Sequence, residues 1–277
     1  MIKEINYFFK EHKNNSRYIL NLALSSAKEE TQKTTLGMYW NVFRDAVFFM
    51  AYTFFMLAVR GVGGQIEGMP RLVYLYTGLV AWYLISDYLN GGVKCILKNK
   101  HIFTKIKFPI LIIPTFETLA IFIKRWTTFT LLAIILGIIM ITTNYRVNIN
   151  IFGLIYSLLA SLVFGIAYSL LMSGFYTISK DFRELYKAIV RIQFYFVPIF
   201  WSVLQDIPKM SFLPSWAATF LQNTPFIHLI NTFRYSISLG QFPPLSSIAI
   251  FMSIVFVMFA LGCYIQYRLQ RIYADFV

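Results

Sequence analysis

Long apolar runs recur along this 277-residue chain, and they limit its fold more than any other feature. One such run alone, LLAIILGIIMITT at 131–143, suits a buried core helix. Several runs of about 20 residues in one chain do not, because that is the length a hydrocarbon layer about 30 Å thick demands of a helix. Only 13% of the residues are charged, about half of what a soluble domain carries. The sequence therefore predicts six membrane-crossing helices, at 36–59, 72–92, 116–143, 151–178, 192–203 and 246–267. The fifth is the shortest and is expected to run on a few residues. The fold class that follows is an all-α polytopic membrane protein. It has an N-terminal segment at 1–35 and a six-helix transmembrane domain at 36–277, with no linker, second domain or repeat between them.

The net charge of +13 would point a soluble protein towards nucleic acid. Here the positions of the charges point elsewhere. With the N-terminus inside, the segments 1–35, 93–108, 179–191 and the tail after 267 hold seventeen of the 25 Lys and Arg residues. The outside segments hold five: Arg60, Arg71, Arg146, Lys209 and Arg234. Such a bias places both termini in the cytoplasm, and the charge faces anionic lipid and cytosol, with no nucleic acid among the partners. MIKEINYFFKEHKNNSRY at the start has no uninterrupted apolar core before a small-residue site, so no cleavable signal peptide is expected.

Three segments leave two readings open. The stretch before residue 36 suits an amphipathic helix on the inner leaflet, with Tyr18, Ile19, Leu22 and Ala23 towards lipid, or a solvated cap. The outer segment 204–245 mixes Trp216, Phe220, Phe226 and Phe233 with five prolines. It suits re-entrant or interfacial helices, or a surface loop anchored by its aromatic residues. KCILKNKHIFTKIK at 94–107 mixes basic and apolar residues and suits either a short docking helix for a cytoplasmic partner or plain positive-inside decoration.

Enzyme parts are missing from the sequence. There is no GxxxxGK[ST] phosphate loop and no HExxH; the histidines, His12, His101 and His228, fall in separate segments. The two cysteines have no metal-ligand or CxxC spacing and read as apolar filler. No catalytic residue, metal ligand or cofactor is expected on this chain. Charged residues within spans draw attention instead, because a charge in lipid faces a protein interior or a wet path. They are Arg44 and Asp45, Asp87, and Glu117 with Lys124 and Arg125. Arg44 shares a helical stripe with Trp40, Phe43, Val47, Ala51, Phe54, Phe55 and Ala58. Aromatic faces stack on sugar rings and arginine holds phosphate, so the stripe suits a sugar path; lipid-facing packing is the other reading. Lys124 and Arg125 suit a polar helix–helix contact. In the fourth span, Ser157, Ser161, Gly165, Ser169 and Ser173 form a four-residue repeat of small side chains, a surface for close helix packing.

An ordered set of short motifs resembles the permeases of type-two ABC exporters, which move O-antigen, capsule and teichoic-acid polymers. They are TLGMYW at 35–40, YLYTGLVAW at 74–82, KIKFPILIIP at 105–114, SKDFREL at 179–185, FVPIFW at 196–201 and QNTPFIHLINTFR at 222–234. FKEH at 9–12 and YADFV at 273–277 look closest to the teichoic-acid members. One departure is FRD at 43–45, where many members carry a proline just after the tryptophan.

The resemblance implies a homodimer in a bacterial inner membrane that exports a lipid-linked glycan or polyol-phosphate polymer. ATP and Mg would be bound and used by two copies of a separate ATPase subunit. Trp40, Phe43, Arg44, Phe54, Phe194, Tyr195 and Trp201 would line the channel. Lys98, Asn99, Lys100 and His101, in a coupling helix at 94–107, would contact the ATPase, and Asp181, Arg183 and Glu184 would make a second contact. The N-terminal helix would gate access from the inner leaflet, and 204–245 would cap the channel. A permease for a drug or small lipid, and an ion-coupled transporter built on Asp45, Asp87 and Glu117, are the alternatives.

Overall fold

The computed structural model describes residues 2–32, 39–61, 64–100, 109–143, 145–202, 205–206, 214–270 and 273. The architecture is all-α, apart from one two-residue hairpin, Gln65–Ile66 against Met69–Pro70, closed by Glu67 and Gly68. Both turn residues have positive φ, as a primed hairpin turn requires. Among the described residues, five helical stretches are long and apolar enough to cross a membrane: Val42–Val59, Arg71–Lys98, Ile110–Thr142, Ile151–Ile178 and Leu245–Leu269. They mark the chain as a membrane protein.

Two helices open the chain, α1 (Ile2–Asn14) and α2 (Ser16–Gln32). On α2 the apolar face is Ile19, Ala23 and Ala27, which packs against Ile113, Phe116 and Ala120 of α6 (Ile113–Lys124). α1 places Phe8 edge-on against Phe259 of the last helix, and His12 donates or accepts through Nε2 at 2.8 Å from Thr115 of α6. The N-terminal segment is thus fastened to the protein by its buried stripe. Tyr18, Leu20 and Leu24 stay exposed.

Next come α3 (Tyr39–Arg60), α4 (Arg71–Asn90) and the short α5 (Cys95–Lys98). α4 is the core of the molecule: Val73, Tyr74, Leu75, Leu79, Leu84, Tyr88 and Leu89 have no exposed surface. The expected third span is two helices, α6 and α7 (Trp126–Thr142), broken at Arg125, whose N–H is shared between the carbonyls of Ile121 and Phe122 at 3.2 Å each. A side chain drawn towards partners outside the helix accounts for such a break.

α8 (Ile151–Ile178) carries the small-residue stripe, and every member is buried. Ser157 meets Ser236 of α11 (Pro225–Ile237) at 3.3 Å, and Ser173 meets Gln266 of α12 (Leu245–Leu269) at 2.8 Å. A Cβ on Gly165 would sit 2.8 Å from Thr118 and Tyr88. The stripe is therefore the seam on which the bundle closes.

A single non-helical residue, Ser179, separates α8 from α9 (Lys180–Phe196). Its hydroxyl caps the new helix by accepting from the Phe182 N–H at 3.1 Å. The cytoplasmic loop expected at 179–191 is thus helix, continuous with the start of the fifth span expected at 192–203. At 17 residues and with charged first turns it is neither long nor apolar enough to join the set of long apolar helices, and the chain from Val197 to Trp201 is irregular. After that come α10 (Ser215–Gln222), α11 (Pro225–Ile237) and α12 (Leu245–Leu269). The described part of the outer segment is mostly α10 and α11, joined at Asn223 and Thr224 and followed by an irregular stretch at 238–244. α11 is buried deeply between α4 and α8, not laid on the surface, with Leu229, Ile230, Phe233 and Arg234 inside.

Candidate functional site

Where α3 begins and α4 ends, these two helices, the start of α7 and the second half of α9 enclose a cavity of about 640 Å³. α3 contributes Arg44, Asp45, Phe48 and Tyr52; α4 contributes Trp82, Tyr83, Ser86, Asp87 and Asn90. Arg125 enters from the α6–α7 break, and α9 adds Lys187, Val190, Arg191, Phe194 and Tyr195. Four cations face two carboxylates there, among six aromatic rings.

One wall of the cavity is an ion-paired cluster. Arg125 places Nη1 3.0 Å from Asp45 and Nε 2.6 Å from Asp87, so a single guanidinium joins α3, α4 and α7. Thr128, one turn on, donates to the same Asp45 carboxylate. Asp45 is 2% exposed and Arg125 7%. The guanidinium also lies 5.4 Å from the Tyr83 ring centroid. Arg44 lies 4.0 Å from Asp45 on the rim, half exposed. Burying such charges is costly unless each is paired, and the threefold arrangement meets that condition.

Behind the cavity, α9 is fixed by Tyr186. Its hydroxyl donates to the Leu89 carbonyl at 2.7 Å and meets the Tyr168 hydroxyl at 3.1 Å. That anchor sets where Lys187, Arg191 and Phe194 point.

Of the seven residues expected to line a channel, three meet here: Arg44, Phe194 and Tyr195. Trp40, Phe43 and Phe54 lie on the outward face of α3, exposed at 45%, 58% and 76%. The aromatic stripe of the first span therefore faces away from the single-chain core, while Asp45, Phe49 and Met56 face inward. Trp201 stands apart, packed on Ile227 and Ala218, with its carbonyl accepting from the Tyr74 hydroxyl.

The residues expected to meet an ATPase divide likewise. Lys98 and Asn99 are drawn onto buried Glu117 of α6, with Nζ at 3.0 Å and Nδ2 at 2.8 Å, and Ser26 of α2 donates to the same carboxylate at 3.2 Å. Lys100 is exposed, and His101 lies outside the described residues. Asp181 and Glu184 are exposed on α9, whereas Arg183 turns back to the carbonyls of Tyr176 and Thr177 and closes the end of α8.

Two features escaped the sequence reading. Arg234, assigned to the outer loop, is 1% exposed. It donates to the Pro198 carbonyl at 2.6 Å and lies 3.4 Å from the Tyr74 ring centroid. Gly78 makes the room, since a Cβ there would come within 2.6 Å of the guanidinium. The other is an apolar groove of about 720 Å³ between α8, α10 and α12, walled by Phe164, Trp216, Phe220 and Phe226. The nearest signal for either was the run of aromatic residues in 204–245. Among the described residues no group of three His, Cys, Asp or Glu side chains is placed to hold a metal ion. No protein-family model matches the chain, and no curated protein matches it.

Proposed function

We propose that this chain is the permease subunit of an ATP-driven exporter that moves a lipid-linked polysaccharide or teichoic-acid-like polymer across the cytoplasmic membrane. The cavity of aromatic rings and cations beside a cluster of buried ion pairs is the observation that carries this reading. Aromatic rings offer faces to sugars, and cations offer partners to phosphate. In this reading α9 is the lower part of the fifth membrane crossing, α10 and α11 form the outer cap, and α1 with α2 lie along the inner leaflet. The working unit is a homodimer with two ATPase subunits docked near α5 and the start of α9. ATP and Mg act on those partners, and this chain does no covalent chemistry.

The test is reconstitution with an ATPase subunit that copurifies with this chain. Fluorescently tagged lipid-linked polymer should enter inverted vesicles only with hydrolysable ATP. Tyr195→Ala should lower that transport at least about tenfold while the ATPase still copurifies. Wild-type transport by the variant would remove the cavity from the path.

A second reading is favoured by buried Asp45 and half-buried Asp87, carboxylates that an ion-coupled transporter would use. Transport that persists without ATP and collapses with a protonophore would select it.

A further inference from the structure

The apolar groove of about 720 Å³ beside α10 lies apart from the cavity of the proposed function. Its floor is Phe164 of α8, edge-on to Phe226, with Ile254 and Met258 of α12. Its roof is Trp216 and Phe220, one turn apart on α10. The protein alone holds α10 weakly. None of its residues is buried, and its contacts within the chain are mainly with α11. Ala218, on the opposite face, meets Trp201, so the two rings are turned to the groove, where they stay largely exposed. Phe164 lies about 20 Å along α8, and Met258 about 20 Å along α12. In two helices that cross the membrane, those positions fall well inside a hydrocarbon layer about 30 Å thick.

The polar residues of the lining spend their hydrogen bonds inside the chain. The Thr219 hydroxyl donates to the Ser215 carbonyl at 3.0 Å, the Asn223 amide to the Thr219 carbonyl at 2.8 Å and the Thr224 hydroxyl to the Leu221 carbonyl at 3.0 Å. The Tyr168 hydroxyl is held by that of Tyr186. An extended peptide laid in this groove would leave backbone groups unsatisfied within the hydrocarbon layer, which is costly. A hydrocarbon chain makes no such demand, and it gives the facing rings the dispersion contacts that space between α10 and the floor forfeits. We infer that the groove holds an acyl chain of a membrane phospholipid, wedged between α10 and the floor made by α8 and α12. The lipid is a structural part that fastens α10 to the bundle. It is not cargo, and the inference stands independently of the exporter reading.

The test uses the full chain with the photoreactive p-benzoylphenylalanine in place of Phe220. The protein is extracted and washed in dodecyl maltoside until loosely held lipid is gone, then irradiated and weighed by mass spectrometry. The Phe220 variant should gain the mass of one phospholipid, attached through its acyl chain. The same photoreactive residue in place of Phe152, exposed near the start of α8, should gain detergent only. Ile254→Trp, which fills the floor, should lower the lipid adduct at Phe220 at least about fivefold by taking the contacts the chain would make. Thr219→Trp, on the unburied α10, should do the same and serves if a circular-dichroism melt shows Ile254→Trp to be misfolded. Ile155→Trp, on the exposed face of α8, should leave the adduct unchanged. Detergent adducts alone at Phe220, an equal lipid adduct at Phe152, or a lipid adduct indifferent to the groove-filling tryptophans overturns the inference. A product of twice the chain's mass would give the groove to a second copy of this chain, and that also overturns it.

Discussion

At the scale of single residues, Arg125 has the largest stake in the fold. Its guanidinium neutralises two carboxylates on different helices, Asp45 fully buried and Asp87 partly exposed. Removing one member of such a set strands the others, at a cost of about 3–5 kcal/mol. Arg125→Met should therefore lower the melting temperature of the detergent-solubilised protein steeply. Asp45→Asn should cost less, because Asp87 still pairs the cation. The triple replacement with Asp45→Asn and Asp87→Asn should recover much of the loss, since no bare charge is left. A triple variant no more stable than Arg125→Met would show that the cluster is not a mutually neutralising set. His12 offers a residue-scale test by pH. Burial pushes its imidazole below the usual range, partly opposed by the Phe8 carbonyl, which accepts from Nδ1 when that nitrogen carries the proton. The docked α1 thus binds fewer protons than the undocked one. Its attachment should hold above the ordinary histidine range and weaken as pH falls through that value towards the lowered one. Hydrogen exchange across residues 2–14 at pH 7.5 and 5 reads this directly, and His12→Gln should flatten the difference.

At the scale of elements, the small-residue stripe of α8 was legible in the sequence because close helix packing has a plain signature, one small side chain per turn on one face. What the spacing did not carry is which helix meets each step. Gly92 illustrates the point: a Cβ there would fall 2.1 Å from the Ser169 hydroxyl, so two small residues distant in sequence depend on each other. Gly92→Ala should destabilise by about 1–3 kcal/mol through overpacking. Adding Ser169→Gly should return part of that, beyond what the two single changes predict together, as a double-mutant cycle in thermal melts can show. The helical nature of 179–191 was hidden for a related reason. Its six charged side chains resemble a solvated loop when read by hydropathy alone. The cap at Ser179 and the Tyr186 anchor make it a helix, and only the first of these is local in sequence. The cavity stands between these cases. Arg44, Phe194 and Tyr195 were within reach of pattern and resemblance, and Asp45, Asp87 and Arg125 were noticed as charges in spans. Their meeting depends on how α3, α4, α7 and α9 cross, which no single periodicity contains.

At the scale of the whole molecule, the apolar runs predicted an all-α membrane fold because lipid leaves helices as the simplest way to satisfy every backbone group. The strongest single element in that inference is α8. Its 28 residues make a rod about 42 Å long, more than enough for a hydrocarbon layer about 30 Å thick. Its ends must then emerge on opposite sides. The bias of basic residues assigns the α9 end to the cytoplasm, and that assignment is open to direct measurement. The native cysteines, Cys95 and Cys263, are both completely buried, so a cysteine introduced at an exposed site reports with little background. Thr143, just before α8, and Lys180, just after it, are exposed. In intact cells a membrane-impermeant maleimide should label Thr143→Cys and leave Lys180→Cys untouched until the membrane is opened. Labelling of both from outside would mean that α8 does not cross. The reverse pattern would keep the crossing and invert the molecule, turning the cavity of Arg44, Lys187 and Arg191 away from any cytoplasmic cargo and leaving the exporter reading without a loading site.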